Sequence, residues 1–224
     1  MPFHVPAVLK QFAKATPFYY PLHNWRTAYR QRREMSDWNA AGCPVPPPHR
    51  AKQLMLRELS TQYGLRTLVE TGTYVGEMVQ ALRHHFDRIY SIELSQEFHR
   101  QVVRRFRGVG RIRLIQGDSA QCLGGVLAEL DGPALFWLDG HYSQAQTAHN
   151  GRETPILEEL ALILGGPDLG HVLVIDDARD FGVDPGYPTQ EQVREFVLSR
   201  RPDLEIRVAM DAIQITPKRL EASR

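Results

Sequence analysis

From about residue 66 to residue 176, the sequence alternates short apolar runs with segments of helical periodicity. Five of these runs are four to six residues long and rich in β-branched or aromatic residues, which indicates strands. The runs are 66–70, 88–93, 112–115, 134–138 and 172–175. Each is followed by a segment whose apolar residues recur three and four positions apart. Parallel strands need helical crossovers of this kind, so the pattern predicts a parallel sheet with helices on both faces.

Two final apolar runs, 204–208 and 212–215, lie too close together for a helical crossover. We therefore expect them to pair antiparallel. The predicted fold class is α/β: a doubly wound, Rossmann-like sheet of seven strands that closes with a C-terminal antiparallel β-hairpin. Residues 1–48, rich in proline, aromatic residues and arginine, predict a helical or irregular N-terminal extension. Residues 49–224 are the predicted folded domain.

Three local signals predict where helices begin and end. Gly64 is expected to end the first helix of the domain, because glycine takes the left-handed conformation common after a helix. Thr154 and Pro155 predict an N-cap followed by proline at the first helical position. Thr189 and Gln192 have the spacing of a capping box and predict the start of the last helix.

Charge is divided unevenly along the chain. Residues 1–66 contain 10 Lys/Arg and 3 Asp/Glu, whereas residues 67–224 contain 17 and 23, although the total is only +1. This division excludes a uniformly basic nucleic-acid binder. The arginines and aromatic residues of 25–33 are also compatible with RNA or an anionic membrane. The favoured interpretation is packing over the acidic body or against a second subunit, which predicts a homo-oligomer formed through the extension and disfavours nucleic acid as a partner.

Cysteine usage and hydropathy bear on the compartment. Cys43 and Cys122 cannot form a disulfide framework, and neither has metal-type spacing. No apolar run approaches the roughly 18 residues of a spanning helix, and the N-terminus lacks an apolar stretch of signal-peptide type. We therefore expect a cytoplasmic protein without a transmembrane segment.

An acidic residue stands at or just after the end of every predicted parallel strand. These residues are Glu70, Glu93, Asp118, Asp139 and the pair Asp176 and Asp177. The carboxyl ends of parallel strands form the edge at which open α/β sheets bind ligands. A single Asp after a strand is ordinary turn chemistry, but five acidic strand ends in register indicate a ligand.

The turn after the first strand, E-T-G-T-Y-V-G, lacks the G-x-G-x-x-G pattern of dinucleotide sites. Glu70 would repel a pyrophosphate but suits a cationic ligand with an amino group, and S-adenosylmethionine is such a ligand without a phosphate. Gly72 would allow close backbone approach, and Gly76 would allow the next helix to pack tightly. Glu93 is expected to accept hydrogen bonds from both ribose hydroxyls, and Asp118 from the adenine amino group.

With these residues the sequence resembles the class I S-adenosylmethionine-dependent methyltransferases over about residues 49–216, closing hairpin included. The resemblance implies that Glu70, Gly72 and Gly76 form the first cofactor motif, with Glu93 as the ribose acid and Asp118 as the adenine-loop acid. Neighbouring residues of the same turns complete the predicted cofactor set: Thr71, Thr73, Tyr74 and Ser119.

Asp139, Asp176 and Asp177 follow two strands that are expected to be neighbours. Three converging carboxylates repel one another unless a cation or a proton intervenes, and all-oxygen ligands favour Mg²⁺ before Ca²⁺ or Mn²⁺. This arrangement resembles the metal-dependent, macrocin-type O-methyltransferases that modify sugar hydroxyls, where acids after the fourth and fifth strands hold Mg²⁺. Helix capping with surface solvation is the alternative explanation of the three acids.

A methyl acceptor with a hydroxyl group needs a base. His141 is the first candidate and Asp139 its rival, while the four lysines lie outside the strand-end loops. The connection 140–153 is long enough to be a substrate lid, and Tyr142 with the loop 178–188 is expected to line the acceptor pocket.

The leading hypothesis is a Mg²⁺-assisted, S-adenosylmethionine-dependent O-methyltransferase that acts on a small hydroxylated molecule such as a sugar or a natural product. Two alternatives stay open. One keeps the cofactor but drops the metal, with nitrogen or an RNA base as the acceptor. The other is a catalytically silent cofactor-binding scaffold.

Overall fold

The computed structural model describes residues 19–139 and 154–218. The helices of this part of the chain are α1 (Tyr19–Ala40), α2 (His49–Tyr63), α3 (Glu77–Leu82), α4 (Gln96–Arg105), α5 (Ser119–Leu127), α6 (Ile156–Gly165) and α7 (Gln190–Arg200). The strands are β1 (Thr67–Thr71), β2 (Arg88–Glu93), β3 (Ile112–Gln116), β4 (Ala134–Leu138), β5 (Val172–Ile175), β6 (Leu204–Ala209) and β7 (Ala212–Pro217).

The seven strands form one sheet in the order β3-β2-β1-β4-β5-β7-β6. β1 to β5 are parallel, and β7 pairs antiparallel with both β5 and β6. The predicted α/β class, the seven-stranded doubly wound sheet and the closing antiparallel hairpin are therefore confirmed. The strand order reverses between β1 and β4, which is the switch point where such sheets bind ligands.

Strand bounds follow the apolar runs closely. β2, β4 and β5 have the predicted limits, and the other four strands differ from prediction by one or two residues. All residues of β4 and β5 are buried, as expected for central strands covered on both faces.

The core lies on both faces of the sheet. Phe136 packs in one cluster with Leu160 of α6. Its neighbours in sequence, Leu135 and Trp137, pack in the other cluster with Leu82 of α3. Since successive side chains of a strand point to opposite faces, β4 anchors the helices of both layers and holds its carboxyl end rigidly.

Two of the three predicted helix boundaries are confirmed. α2 ends at Tyr63, and Gly64 follows with φ +66°. Thr189 Oγ1 accepts the Gln192 N–H at 3.1 Å, and Gln192 Oε1 accepts the Thr189 N–H at 2.7 Å, which completes the capping box.

The third boundary prediction, an N-cap at Thr154, is wrong. Pro155 is the N-cap residue of α6, and no side-chain cap hydrogen bond is formed. The Thr154 side chain is buried at the edge of a small cavity instead, so tertiary packing overrides the local capping preference.

The chain separates into two compact units, residues up to Lys52 and residues from Gln53 onward. In the first unit, α1 is a 22-residue helix that exposes Trp25 and Tyr29, whose rings stack with centroids 6.3 Å apart. The predicted extension is thus helical over this range, while the boundary at residue 48 stays a prediction. No helix of the described residues is both long and apolar enough to cross a membrane.

Candidate functional site

Backbone hydrogen bonds hold the strand ends at one edge of the sheet. The Gly72 N–H donates to Ile92 O at 3.0 Å, so the first turn is tied to the end of β2. The Asp139 N–H donates to Thr71 O at 3.1 Å, and the Asp176 N–H donates to Leu138 O at 3.0 Å. The structure therefore brings the ends of β2, β1, β4 and β5 into one row, as the strand-end acids predict.

Glu70 is 1% exposed and belongs to a buried polar network. Its Oε2 accepts a hydrogen bond from the Ser91 hydroxyl, and Ser91 Oγ also lies 2.6 Å from Thr73 Oγ1. The pKa of Glu70 is raised to about 8, mainly by burial. The Ser91 hydrogen bond lowers this pKa, whereas repulsion from Asp139 and Glu93 raises it further. Glu70 is thus mostly protonated at neutral pH, so a bound cation would favour its ionised form.

Glu93 fixes the backbone of the first turn. Its Oε2 accepts the Tyr74 N–H at 2.7 Å and its Oε1 accepts the Ser95 N–H at 2.7 Å. Tyr74 has φ +50°, and its exposed ring packs edge-to-face on Phe98 with the centroids 4.6 Å apart. Each carboxylate oxygen retains a second lone pair, so Glu93 can also accept from a ligand hydroxyl.

Gly76 lies where the first turn meets the helix layer. It has φ +75° and caps α3, and a Cβ atom placed on it would lie 2.7 Å from a ring carbon of Phe106. Glycine is therefore required here both by the backbone conformation and by the close approach of Phe106.

Asp118 and Ser119 begin α5 at the end of β3. Asp118 Oδ1 accepts the Ala120 N–H at 3.0 Å, which makes Asp118 the N-cap of α5. This is ordinary capping, and it fixes the carboxylate at the edge of the sheet with its second oxygen available to a ligand.

Asp139, Asp176 and Asp177 converge between β4 and β5. Each offers a carboxylate oxygen, and the three oxygens lie within 4.8 Å of one another. Two oxygens on the same cation lie at most about 4.2 Å apart for Mg²⁺ and about 5.2 Å apart for Ca²⁺, which is twice the upper bond length of each ion. The all-oxygen donor set is the kind that a hard divalent cation prefers.

Arg179 connects Asp177 to the closing hairpin. Its Nη1 donates to Asp177 Oδ1 at 2.7 Å and also to Asp211 Oδ2, and its backbone N–H donates to Asp211 Oδ1 at 3.1 Å. Asp211 is buried in the two-residue turn between β6 and β7. The turn has left-handed backbone at both residues, with φ +56° at Met210 and +57° at Asp211. Asp177 itself has φ +53°, so the guanidinium fixes an acid whose backbone is strained.

Replacing Arg179 with methionine is expected to destabilise the fold by about 1–3 kcal/mol, because Asp211 would remain buried with the backbone N–H of residue 179 but without the guanidinium that compensates its charge. Urea denaturation measures the change. Asp211→Asn should lower the free energy of unfolding less in the Arg179→Met background than in the wild type. The control is Arg194→Met, which changes an exposed arginine and should leave the free energy of unfolding nearly unchanged. Additive effects of the Arg179 and Asp211 substitutions would show that the contact contributes nothing.

The sequence pattern did not reveal Glu159, which is 1% exposed in the first turn of α6. Its Oε1 is buried with no hydrogen-bond partner, as is Thr71 Oγ1. Burial raises the pKa of Glu159 to about 7, although nearby hydroxyls of Ser119 and Thr71 oppose the rise. A signal existed: Glu159 is three residues after Ile156, which places it on the apolar face of the helix.

A small cavity of about 10 Å³ lies behind the acids and is bordered by Glu159, Asp176 and Tyr187. The Tyr187 ring packs edge-to-face on Phe181, with centroids 5.2 Å apart. Burial raises the pKa of Tyr187, and repulsion from surrounding aspartates, Asp180 foremost, adds to the rise. The loop 178–188 thus places two aromatic rings next to Asp176, and its role in an acceptor pocket stays a prediction.

The remaining predicted residues lie outside the described ranges. His141, the first candidate base, and Tyr142 belong to residues 140–153, and so does the predicted lid. Of the two candidate bases, the structure therefore places only Asp139, which is half-buried at the end of β4.

The seven-stranded order with its antiparallel β5-β7-β6 end and its flanking helices is the Rossmann-like methyltransferase fold. The chain is similar to an O-methyltransferase from Bacillus cereus in complex with SAH (TM-score 0.56, 16% identity, 84% of this chain and 90% of that one). It is also similar to TomG from Streptomyces achromogenes, an O-methyltransferase involved in tomaymycin synthesis, in complex with SAM (TM-score 0.55, 18% identity, coverage 84% and 88%).

A third similar structure is the SAH-bound methyltransferase PaMTH1 from Podospora anserina (TM-score 0.54, 16% identity, coverage 91% and 98%). At identities this low the likeness shows a shared fold. No protein-family model matches the sequence. A search of curated proteins found no match either.

Proposed function

We propose that this chain is an S-adenosylmethionine-dependent methyltransferase that methylates an oxygen of a small hydroxylated acceptor, with Mg²⁺ held by Asp139, Asp176 and Asp177. The row of acids along the carboxyl edge of a methyltransferase-type sheet carries the proposal. It is supported by the similar structures, which include O-methyltransferases in complex with SAH and with SAM.

The proposed cofactor residues lie on the β1–β3 side of the switch point. Glu70 faces the ammonium end of the cofactor, Glu93 accepts from the ribose hydroxyls, and Asp118 accepts from the adenine amino group. Glu93 also holds Tyr74, so one side chain both shapes the turn and binds the ligand. Thr71, Gly72, Thr73 and Ser119 supply the remaining surface of the two turns.

The proposed acceptor residues lie on the β4–β5 side. A divalent cation held there would lower the pKa of a coordinated hydroxyl and would fix its approach to the methyl carbon. Asp139 or His141 would take the hydroxyl proton, while the acceptor oxygen would form its bond to the methyl group and the methyl–sulfur bond would break. The leaving group would be a neutral thioether, so the positive charge near Glu70 and Glu93 would decrease.

The charge around this side favours a neutral acceptor over RNA. Four aspartates lie close enough to Tyr187 to raise its pKa: Asp180, Asp177, Asp139 and Asp184. Within the described residues, Arg179 is tied to Asp177 and Asp211 rather than left to receive a phosphate. A phosphate-rich acceptor would meet this acidic surface, whereas a sugar-like hydroxyl carries no charge.

Thermal shift tests the proposal without knowledge of the acceptor. S-adenosylmethionine at about 100 times its Kd should raise the Tm by roughly 5–10 °C, and NAD should not. Mg²⁺ should add its own shift in the wild type but not in Asp176→Asn, which keeps the cofactor shift. The control is Asp131→Asn, because Asp131 is exposed and lies at the opposite edge of the sheet, where it pairs with Arg88, the first residue of β2.

Each outcome decides one part of the proposal. Failure of S-adenosylmethionine to stabilise the wild type would overturn the cofactor assignment. An equal Mg²⁺ shift in Asp176→Asn would overturn the metal assignment alone. Cofactor binding without methyl transfer to a broad panel of hydroxylated acceptors would favour a silent scaffold.

A further inference from the structure

Glu159 is a buried acid in α6 that neither the predicted cofactor set nor the predicted metal set contains. It is 1% exposed, its Oε1 has no hydrogen-bond partner, and the same is true of Thr71 Oγ1. A buried carboxyl group that only supported packing would be expected to have both oxygens satisfied. At this position between apolar neighbours of the helix, leucine would pack without any desolvation cost.

The surroundings of Glu159 indicate what it acts on. The hydroxyls of Ser119 and Thr71 lie close enough to lower its pKa, and the carboxylate of Asp118 lies close enough to raise it. Thr71 ends β1 and opens the first turn, while Asp118 and Ser119 begin α5. One carboxyl group thus lies behind both turns that the proposed function assigns to the cofactor.

We propose that Glu159 is a positioning residue of the cofactor site. Its carboxyl group holds the Thr71 turn and the first turn of α5 in the relative position that receives the adenosyl half of the cofactor. The inference rests on the proposed function. Both hydroxyls act on the Glu159 carboxyl group and both can donate to it, although Thr71 Oγ1 makes no hydrogen bond in the structure. Ligand binding that draws the two turns together gives the unpartnered oxygens of Glu159 and Thr71 a hydrogen bond.

Isothermal titration with SAH and with 5′-methylthioadenosine, which lacks the amino-acid half, tests this inference. The variants are Glu159→Leu, Glu159→Gln and the exposed control Glu195→Gln. Glu159→Leu should weaken both ligands at least about tenfold, because the hydroxyls of Ser119 and Thr71 would then lack the carboxyl group to which they can donate when the ligand is bound. Glu159→Gln keeps an acceptor oxygen and should stay within about threefold of the wild type, as should the control.

The Tm separates positioning from a purely structural role. Glu159→Leu should keep or raise the Tm of the unliganded protein, because an apolar side chain replaces a buried acid. If Glu159→Leu lowers the Tm but the folded variant binds both ligands as tightly as the wild type, the inference is overturned. A variant that loses affinity for SAH but not for methylthioadenosine would also overturn it. In a double-mutant cycle, Thr71→Val should have little further effect in Glu159→Leu. If wild-type protein binds neither ligand, the proposed function fails first.

Discussion

Replacing Gly76 with alanine is expected to destabilise the protein by about 2–4 kcal/mol and to lower its Tm by roughly 5–15 °C. Two costs add. The left-handed backbone at φ +75° disfavours any residue with a Cβ, and that Cβ would lie 2.7 Å from a ring carbon of Phe106 and 3.2 Å from Val102 Cγ1. Relief of the clash must move α4 away from the first turn, so SAH affinity should fall as well.

Gly124 provides the matched control. It lies inside α5, and a Cβ on it would meet nothing within 4 Å. Gly124→Ala should therefore stabilise the protein by about 0.5–1 kcal/mol, the opposite sign for the same chemical change. Calorimetry of both variants makes the comparison. Equal Tm values for the two would show that the first turn tolerates a side chain and that its glycine is not needed.

The second large effect is a pH dependence caused by Glu70. Its pKa is about 8 in the folded protein and near 4.5 when unfolded. Between these values the folded state holds a proton that the unfolded state has released, so stability falls as pH rises from about 4.5 to 8 and then levels off. Glu159, with a pKa of about 7, contributes with the same sign. The loss should be of the order of a few kcal/mol.

Glu70→Gln should remove most of this dependence. Urea denaturation should find Glu70→Gln more stable than the wild type at pH 8.5 and equally stable near pH 4.5. The control is Glu205→Gln at an exposed strand residue, which should leave the pH dependence of stability unchanged. Binding of S-adenosylmethionine near pH 7 should release close to one proton from the wild type and much less from Glu70→Gln. A wild-type stability that rises with pH over this range would contradict the burial of a neutral Glu70.

Most of the fold could be predicted from the sequence because its signals are local. The run 134–138 is apolar throughout and its strand has those bounds, since a central parallel strand is buried on both faces. The row of strand-end acids was predictable for the same reason: once the strands are parallel, Glu93 and Asp139 must share an edge. The capping prediction at Thr154 failed because burial of that side chain outweighs a local preference.

The parts of the site that could not be predicted depend on contacts between distant segments. Arg179 and Asp211 meet only after the hairpin has paired with β5, and no spacing in the sequence relates them. Ser91 lies inside an apolar run, so its hydrogen bond to Glu70 becomes visible only when β1 and β2 are in register. The neutral state of Glu70 follows from that burial, whereas the sequence pattern indicates only an acid.

The strand order has a consequence for how a chain with the proposed function could change its methyl acceptor. The proposed cofactor residues come from the sequence before residue 120, and the proposed metal and acceptor residues come from the sequence after residue 138. A graft that exchanges the second segment between homologous chains could therefore replace the proposed acceptor site and leave the proposed adenosyl site unchanged. Glu159 is the exception, because it is encoded in the second segment but lies behind the pocket of the first. A functional chimera would have to retain it.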